Sequence, residues 1–188
     1  MQQMETERLF LREFREGDYE DILANVYQDK EVWGMYSSIG DKPDEIRHRF
    51  LHRCYQPTSA EFGFRAVELK ATGRVIGQVH LEPHVLDPRS IPDDTPSPYG
   101  TIEVELAFAF GKAYWGQGYA YEACLPMIEY AFRQLKLARL VGGALAHNAR
   151  SIQLHRRLGY TIAPDPTDPA FVSAILYSNQ GENGSFHR

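Results

Sequence analysis

The chain has little of what marks several common protein classes. It has two cysteines in 188 residues, Cys54 and Cys124, which are too few for a disulfide framework. Its formal net charge is −5 and its pI is near 5.8, so it lacks the basic excess of a nucleic-acid-binding protein. No stretch approaches the ~20 apolar residues of a membrane span, and no apolar run follows Met1 as in a signal peptide. We therefore expect a cytoplasmic protein with no nucleic-acid or membrane partner.

Common metal-binding and nucleotide-binding motifs are also missing. The seven histidines form no His-Glu-x-x-His pattern, and the two cysteines do not have the close spacing of a metal-binding pair, so we expect no metal site. In a P-loop, Gly-Lys is followed by Ser or Thr, whereas Gly111-Lys112 is followed by Ala113. The dinucleotide fingerprint needs a third glycine where Tyr121 stands. The glycines of this region therefore belong to neither of these phosphate loops.

Residues 102–135 predict a strand, a glycine turn and a long helix. Residues 102–110 alternate between apolar and other side chains, which predicts a strand with one apolar face. After Gly116-Gln117-Gly118, apolar residues recur at spacings of three and four, which is typical of an amphipathic helix. The opening amides of a helix have no intrahelical partner and the helix dipole makes that end positive, so this arrangement can cradle a phosphate. A plain strand-to-helix turn explains the same residues and stays open.

The remaining chain predicts an α+β protein in which helices flank a mixed, mostly antiparallel sheet. Strands are predicted near residues 8–14, 62–69, 74–81, 139–146, 160–163 and 170–177, and further helices over 19–27, 41–54 and 148–158. Prolines make residues 83–100 a long loop, which is either a functional lid or a surface excursion. We expect a single domain over residues 1–178 and a flexible tail over 179–188.

Three motifs in order resemble those of the GNAT N-acetyltransferases. They are ERLFLR at 7–12, YWGQGYAYEA at 114–123, and NARS at 148–151 followed by LGY at 158–160. The second is similar to the coenzyme A pyrophosphate loop of that family. The likeness is greatest to the Rim-type branch, which contains the ribosomal-protein-alanine acetyltransferases, and it covers roughly residues 6–177. The resemblance implies the GNAT (acyl-CoA N-acyltransferase) fold, with acetyl-CoA as the acetyl donor.

The resemblance also implies which residues bind the coenzyme. Backbone amides of the glycine loop would hold the pyrophosphate: Gly116, Gln117, Gly118, Tyr119 and Ala120. The strand before the loop would pair with the pantetheine arm and supply an oxyanion amide, through Phe108, Ala109 and Phe110. Asn148 would hydrogen-bond the pantetheine with Ser151 one turn later, although Asn148 is also a good helix N-cap. The family has Gln or Arg where Ala113 stands. Here the backbone amides, helped by Lys112, would therefore bind the pyrophosphate.

Acetyl transfer to an amine needs a base, a stabilised carbonyl oxygen and a proton for the leaving thiolate. Glu103 and Glu105 are the candidate bases, ~7 Å apart on one strand face, and Glu105 stands where this branch has its acidic strand residue. The alternative is that both glutamates simply lie on a solvated face. His155 occupies the position at which most relatives have a tyrosine that protonates the thiolate, and histidine can do so near neutral pH. A surface or capping role is the alternative for His155.

The family transfers the acetyl group directly, in a ternary complex, to a primary amine. The acceptor would be a protein N-terminus or a small amine, and this branch often forms homodimers. A non-catalytic acyl-CoA-binding or sensing protein with the same fold is the alternative function. The acceptor itself stays open, because the segments expected to select it are 31–39, 83–100 and 164–169.

Overall fold

The computed structural model describes residues 2–33, 42–55, 61–86 and 100–178. The expected tail at 179–188, most of the 31–39 segment and most of the 83–100 loop therefore lie outside the described residues. Within them, the strands are β1 Met4–Glu5, β2 Leu9–Arg12, β3 Gly63–Leu69, β4 Arg74–Leu86, β5 Thr101–Phe110, β6 Arg139–Leu145, β7 Thr161–Pro164 and β8 Phe171–Tyr177. The helices are α1 Tyr19–Ile22, α2 Lys30–Trp33, α3 Pro43–Tyr55, α4 Tyr119–Arg133 and α5 Ala149–Arg157.

The strands form one mixed sheet in the order β1-β2-β3-β4-β5-β6-β8-β7. The pairs from β1 to β4 and those joining β6, β8 and β7 are antiparallel. β5 and β6 are parallel, with Glu105 opposite Val141. The expected α+β class with a mixed, mostly antiparallel sheet flanked by helices is therefore confirmed. No helix within the described ranges is long and apolar enough to cross a bilayer.

The chain divides into two compact units. The first comprises Met1–Glu82 and Ala107–Pro126, and the second Pro83–Leu106 and Met127–Arg188. In the first unit, α1, the wider helical turn Leu23–Tyr27 and α3 bury one apolar side against the strands. Ile46 and Phe50 of α3 lie one turn apart and are buried, so they form its inner face. Burying a side chain such as Phe50 contributes about 1.5–3 kcal/mol.

The helix predicted after the glycine turn is α4, and its apolar stripe is confirmed. Its buried members are Ala123, Cys124, Met127, Ile128 and Ala131. The helix continues through Pro126, which has no amide hydrogen to donate to the carbonyl of Glu122. Cys124 is fully buried in this stripe, so it is a core residue.

Three details of the sequence prediction were wrong. β1 was not predicted, because two residues are too short to show a periodicity. β4 extends to Leu86, so Pro83 lies on a strand instead of opening the loop. The pairing of β4 with β3 ends at Leu81, so Pro83 lies beyond it, where a missing amide donor is tolerated. β5 has no single apolar face, because Ile102 is 78% exposed whereas Glu103 is buried.

Candidate active site

The glycine loop of the first unit is anchored to the end of β5. The indole Nε1 of Trp115 donates a hydrogen bond to the carbonyl oxygen of Phe110 at 2.7 Å. Gly116 and Gly118 have φ angles of 74° and 82°, in the left-handed region that favours glycine. A Cβ added to Gly116 would meet nothing within 4 Å, so the loop has open space at this point.

The loop leads directly into α4. The amide of Glu122 donates to the carbonyl oxygen of Gly118 at 3.0 Å, which is the first hydrogen bond of the helix. The amides of Gly118, Tyr119 and Ala120 precede this bond, so the helix gives them no acceptor. An anion at this end would receive these donors and the positive end of the helix dipole. The predicted phosphate cradle is thus compatible with the local backbone.

Arg8, in the N-terminal segment, is hydrogen-bonded to this loop and to the helix that follows it. Its Nε donates to Oε2 of Glu122 at 2.6 Å and its backbone amide to Oε1 at 2.8 Å, while the hydroxyl of Thr6 donates to the same Oε1 at 2.6 Å. The Nη1 of Arg8 also donates to the carbonyl oxygen of Gln117 at 3.0 Å. In a trans peptide the carbonyl and the next amide point in opposite directions. Because Arg8 binds the carbonyl oxygen of Gln117, the amide hydrogen of Gly118 points away from Arg8.

Two loop side chains have partners within the protein. The Nε2 of Gln117 donates to the carbonyl oxygen of Ala113 at 2.8 Å, which braces the loop across four residues. Lys112, which the sequence proposed as a helper for phosphate, forms an ion pair with Glu31. The residues of β5 that precede the loop differ in burial: Ala109 and Phe110 are buried, and Phe108 is half-buried.

In the second unit, the two candidate glutamates of β5 have different surroundings. Glu103 is buried, and both of its carboxylate oxygens accept hydrogen bonds from Arg139, at 2.9 Å from Nε and 2.6 Å from Nη2. This bidentate pair explains how a charged side chain can be buried at this position. The alternative of two glutamates on one solvated face is therefore wrong for Glu103.

Glu105 instead borders a cavity of about 290 Å³. Its carboxylate is about one-third exposed, and its Oε2 lies 3.2 Å from Nε2 of His84 on β4. The cavity is also lined by Gly142 on β6, by Asp165 and by β8. Of the two glutamates, Glu105 is the one that a ligand in this cavity would meet.

The segment between β7 and β8 forms part of the cavity wall and is folded around Asp165. Its Oδ1 accepts hydrogen bonds from the amide of Thr167 at 2.8 Å, the hydroxyl of Thr167 at 2.6 Å and the amide of Asp168 at 3.1 Å. Its Oδ2 accepts from the hydroxyl of Ser173 at 2.7 Å. Although partial burial opposes it, these donors together lower the pKa of Asp165, so the carboxylate is charged at neutral pH.

The helix α5 begins as the sequence predicted. Asn148 is its N-cap, and its side-chain oxygen accepts a hydrogen bond from the amide of Ser151 at 3.1 Å. Gly159 follows the helix with a φ angle of 94°, as expected for a glycine just beyond a helix end. The capping role of Asn148 is thus present, and its proposed contact with pantetheine stays a prediction.

His155 lies inside the protein, so the surface alternative is wrong. The residue is 3% exposed, and its Nδ1 lies 2.9 Å from the carbonyl oxygen of Ser151. A Cβ on Gly142 would lie 2.9 Å from Nε2 of His155, so the bare backbone of Gly142 makes room for the ring. Burial lowers the pKa of His155, against the smaller raising effects of the Ser151 carbonyl and the charge of Glu105. At neutral pH the imidazole is therefore mainly neutral.

The structure thus groups the predicted residues by unit. The loop residues of the first unit surround the start of α4, while Glu105 and His155 of the second unit are close enough for the charge of Glu105 to act on His155. Sequence reasoning missed His84, because residue 84 was assigned to the proline-rich loop. It included Arg8 in a motif without giving it a role. Within the described ranges, no group of three or more His, Cys, Asp or Glu residues is placed to hold a metal ion.

Comparison with known families agrees with this geometry. Residues 8–161 match the family described as acetyltransferase (GNAT) domain, which is most of the chain. The chain belongs to the GNAT acetyltransferase family. It is an acetyl-CoA-dependent acetyltransferase, as the glycine loop and its resemblance predicted.

Relatives of this GNAT acetyltransferase span nearly its whole length. It is 27% identical over 162 residues to the uncharacterized N-acetyltransferase p20 of Bacillus licheniformis, covering 85% of this chain and 83% of that protein. Its fold is similar to that of an acetyltransferase from Agrobacterium tumefaciens, with a TM-score of 0.69, 26% identity and coverage of 94% and 95% of the two chains. Its fold also resembles that of the ribosomal-protein-S5-alanine acetyltransferase of Vibrio fischeri, at a TM-score of 0.66, 15% identity and coverage of 95% and 98%.

Proposed function

We propose that the protein is an N-acetyltransferase that moves the acetyl group of acetyl-CoA directly to a primary amine in a ternary complex. The observation that carries this proposal is the glycine loop at the start of α4, which Arg8 holds through hydrogen bonds. The loop presents the amides of Gly118, Tyr119 and Ala120, and it has open space beside Gly116. These features fit a diphosphate, and acetyl-CoA supplies the acetyl thioester when it is bound there.

The backbone does the binding in this proposal. Ala113 leaves the loop without the Gln or Arg side chain that the family places there, and Lys112 is paired with Glu31. The remaining donors are the loop amides, whose direction Arg8 sets. Phe108, Ala109 and Phe110 stay the proposed partners of the pantetheine arm and of the carbonyl oxygen, and Asn148 and Ser151 stay proposed pantetheine contacts.

Glu105 is the proposed base. It is a partly exposed carboxylate at a cavity, whereas Glu103 is occupied by Arg139. The carboxylate would take a proton from the acceptor ammonium, directly or through a water, so that the neutral amine can attack. His155 as the acid for the thiolate stays a prediction. Its lowered pKa disfavours it, because the imidazolium is scarce at neutral pH.

The acceptor class follows from the charge of the cavity wall. Glu105, Asp165 and Asp168 contribute carboxylates and His84 the one histidine among the described lining residues. Such a wall favours a cationic amine over an anionic acceptor. A protein N-terminus, as in the Rim-type branch, and a small amine both meet this requirement. The cytoplasmic location and the homodimer expected from the resemblance stay predictions as well.

The proposal is tested by measuring thiol release from acetyl-CoA over a panel of small amines and N-terminal peptides. We expect thiol release with at least one amine. Double-reciprocal plots of initial rate against one substrate, at fixed levels of the other, should give intersecting lines, as a ternary complex requires. The Glu105→Gln variant should lose about 10²-fold in kcat or more, since general-base catalysis is worth about that much, while its affinity for coenzyme A, measured by calorimetry, stays within threefold. Tight coenzyme binding with no thiol released by any acceptor would instead identify an acyl-CoA-binding protein.

A further inference from the structure

The proposed base has a neighbour on the adjacent strand that neither the sequence motifs nor the family resemblance assigns. His84 lies near the end of β4, and its Nε2 is 3.2 Å from Oε2 of Glu105 on β5. Both residues line the same cavity, and the side chains of His84 and Glu105 are 39% and 32% exposed. A histidine this close to a carboxylate at a binding cavity can change both the orientation and the basicity of that carboxylate.

We propose that His84 is the positioning residue for Glu105 and that its protonation switches acetyl transfer off as the pH falls. This inference rests on the proposed function, in which Glu105 is the base. Nε2 of His84 lies 3.2 Å from Oε2 of Glu105, and a turn of the neutral imidazole that aligns Nε2–H with this oxygen would form a hydrogen bond that fixes the carboxylate. The second oxygen of Glu105 is then left to accept the proton of the acceptor amine.

The direction of the switch follows from charge. Protonation of His84 places a positive charge beside Glu105, which lowers the basicity of the carboxylate. The same charge lies at the cavity that a cationic amine must enter, so it also weakens acceptor binding. Both effects act in one direction, and activity falls as His84 is protonated.

The other acidic side chains near the pair in space or along the strand carry carboxyl groups. Asp165 and Asp168 line the cavity from the segment between β7 and β8, and Glu82 stands two residues before His84 on β4. His155 on α5 is buried, and the lowering of its pKa keeps it mainly neutral. Among the described residues that line this cavity, His84 is the histidine, the side-chain type whose ordinary titration range lies between pH 5 and 8.

The chemistry balances with one proton held by the enzyme. The acceptor ammonium gives one proton to Glu105 and becomes a neutral amine. The amine nitrogen forms a bond to the acetyl carbon, and the carbon–sulfur bond breaks. The second proton of the nitrogen leaves with coenzyme A as its thiol, and Glu105 returns its proton to solvent. His84 holds the carboxylate in place throughout and forms no bond to either substrate.

The test is the pH dependence of kcat/KM for the amine in three variants, at saturating acetyl-CoA. His84→Gln keeps an amide donor for Glu105 but cannot titrate. We expect it to retain activity within about fivefold at pH 8 and to shift the acidic limb down by more than one pH unit, toward the ordinary carboxyl range. His84→Ala removes both properties and should lose about tenfold in kcat at pH 8. Val85→Gln, at the exposed neighbouring position on β4, is the matched control and should behave as the wild type.

Each outcome has a definite meaning. An acidic limb that stays in place in His84→Gln, or a wild-type kcat in His84→Ala, would overturn the role of His84. Melting temperature and coenzyme affinity are measured for every variant, and a loss of kcat without a change in either one excludes misfolding. Wild-type activity in Glu105→Gln would instead reject Glu105 as the base, so the proposed function and the inference about His84 fail in different experiments.

Discussion

Glu103 and Arg139 form a buried bidentate ion pair that joins β5 to the first residue of β6. The side chains of the pair are 7% and 17% exposed. Since Arg139 occupies both oxygens of Glu103, this glutamate links two strands of the second unit. Glu105, two residues later on the same strand, is left to face the cavity.

Replacing Glu103 should therefore affect stability more than chemistry. In Glu103→Gln, Arg139 loses its charged acceptor, and a lost charge-assisted hydrogen bond of this kind costs about 1–3 kcal/mol. For a chain of this size that corresponds to a drop on the order of 5 °C in melting temperature. Glu105→Gln is the matched control and should change the melting temperature by less than about 2 °C. Calorimetric scans of both variants check this, and equal shifts would contradict the division of roles.

The hydrogen bonds between Arg8 and the glycine loop should control the affinity for the coenzyme. Arg8→Gln removes the hydrogen bond to the Gln117 carbonyl and the ion pair with Glu122, so the loop amides lose their fixed direction. We expect the Kd for coenzyme A to rise about tenfold, which is 1.4 kcal/mol, with little change in kcat at saturating acetyl-CoA. Arg133→Gln, which breaks an exposed ion pair with Glu129 in the last turn of α4, is the control. Unchanged affinity in Arg8→Gln would show that the loop holds its shape unaided.

Replacing either loop glycine should weaken coenzyme binding, whereas replacing a third glycine of similar backbone geometry should not. Gly116 and Gly73 both have positive φ angles, 74° and 67°, and a Cβ at either position would meet nothing within 4 Å. Replacement of each with Ala therefore costs a similar strain, about 1 kcal/mol. Coenzyme affinity should fall only in Gly116→Ala, because only there does the new methyl group enter the proposed phosphate cradle.

This comparison is read from calorimetric titrations together with melting temperatures. Gly118→Ala should weaken coenzyme binding as well, because its Cβ would also approach the Nη2 of Arg8 at 3.4 Å. Equal affinities in Gly116→Ala and Gly73→Ala would place the diphosphate elsewhere.

The buried imidazole of His155 should make stability depend on pH. Burial lowers the pKa of His155 in the folded protein below its ordinary value of 6.5. Below pH 6.5 the unfolded chain binds a proton that the folded protein does not, so the free energy of unfolding decreases as the pH falls. We expect the melting temperature of the wild type to drop more steeply between pH 7 and pH 5 than that of His155→Gln. His147→Gln, at an exposed position, is the control and should keep the wild-type slope.

Local patterns in the sequence were sufficient for much of the fold. The strand β5, the three-and-four spacing in α4 and the cap at Asn148 each depend on neighbours within a few residues, and the structure confirms these three although β5 lacks the single apolar face. The positive φ angles of the loop glycines also follow from a local property, the missing Cβ. Family motifs then led to the GNAT fold and its acetyl donor.

The roles of individual site residues depended on contacts between distant parts of the chain. Arg139 is 36 residues from Glu103, and Arg8 is 114 residues from Glu122, so neither pair leaves a periodic signal in the sequence. The sequence by itself determined the strand, the glycine turn and the helix, because their hydrogen bonds and side-chain periodicity are local. The tertiary structure decided which glutamate is available, that His84 adjoins it and that His155 is buried, because burial and ion pairing are set by whichever distant residues the fold brings together.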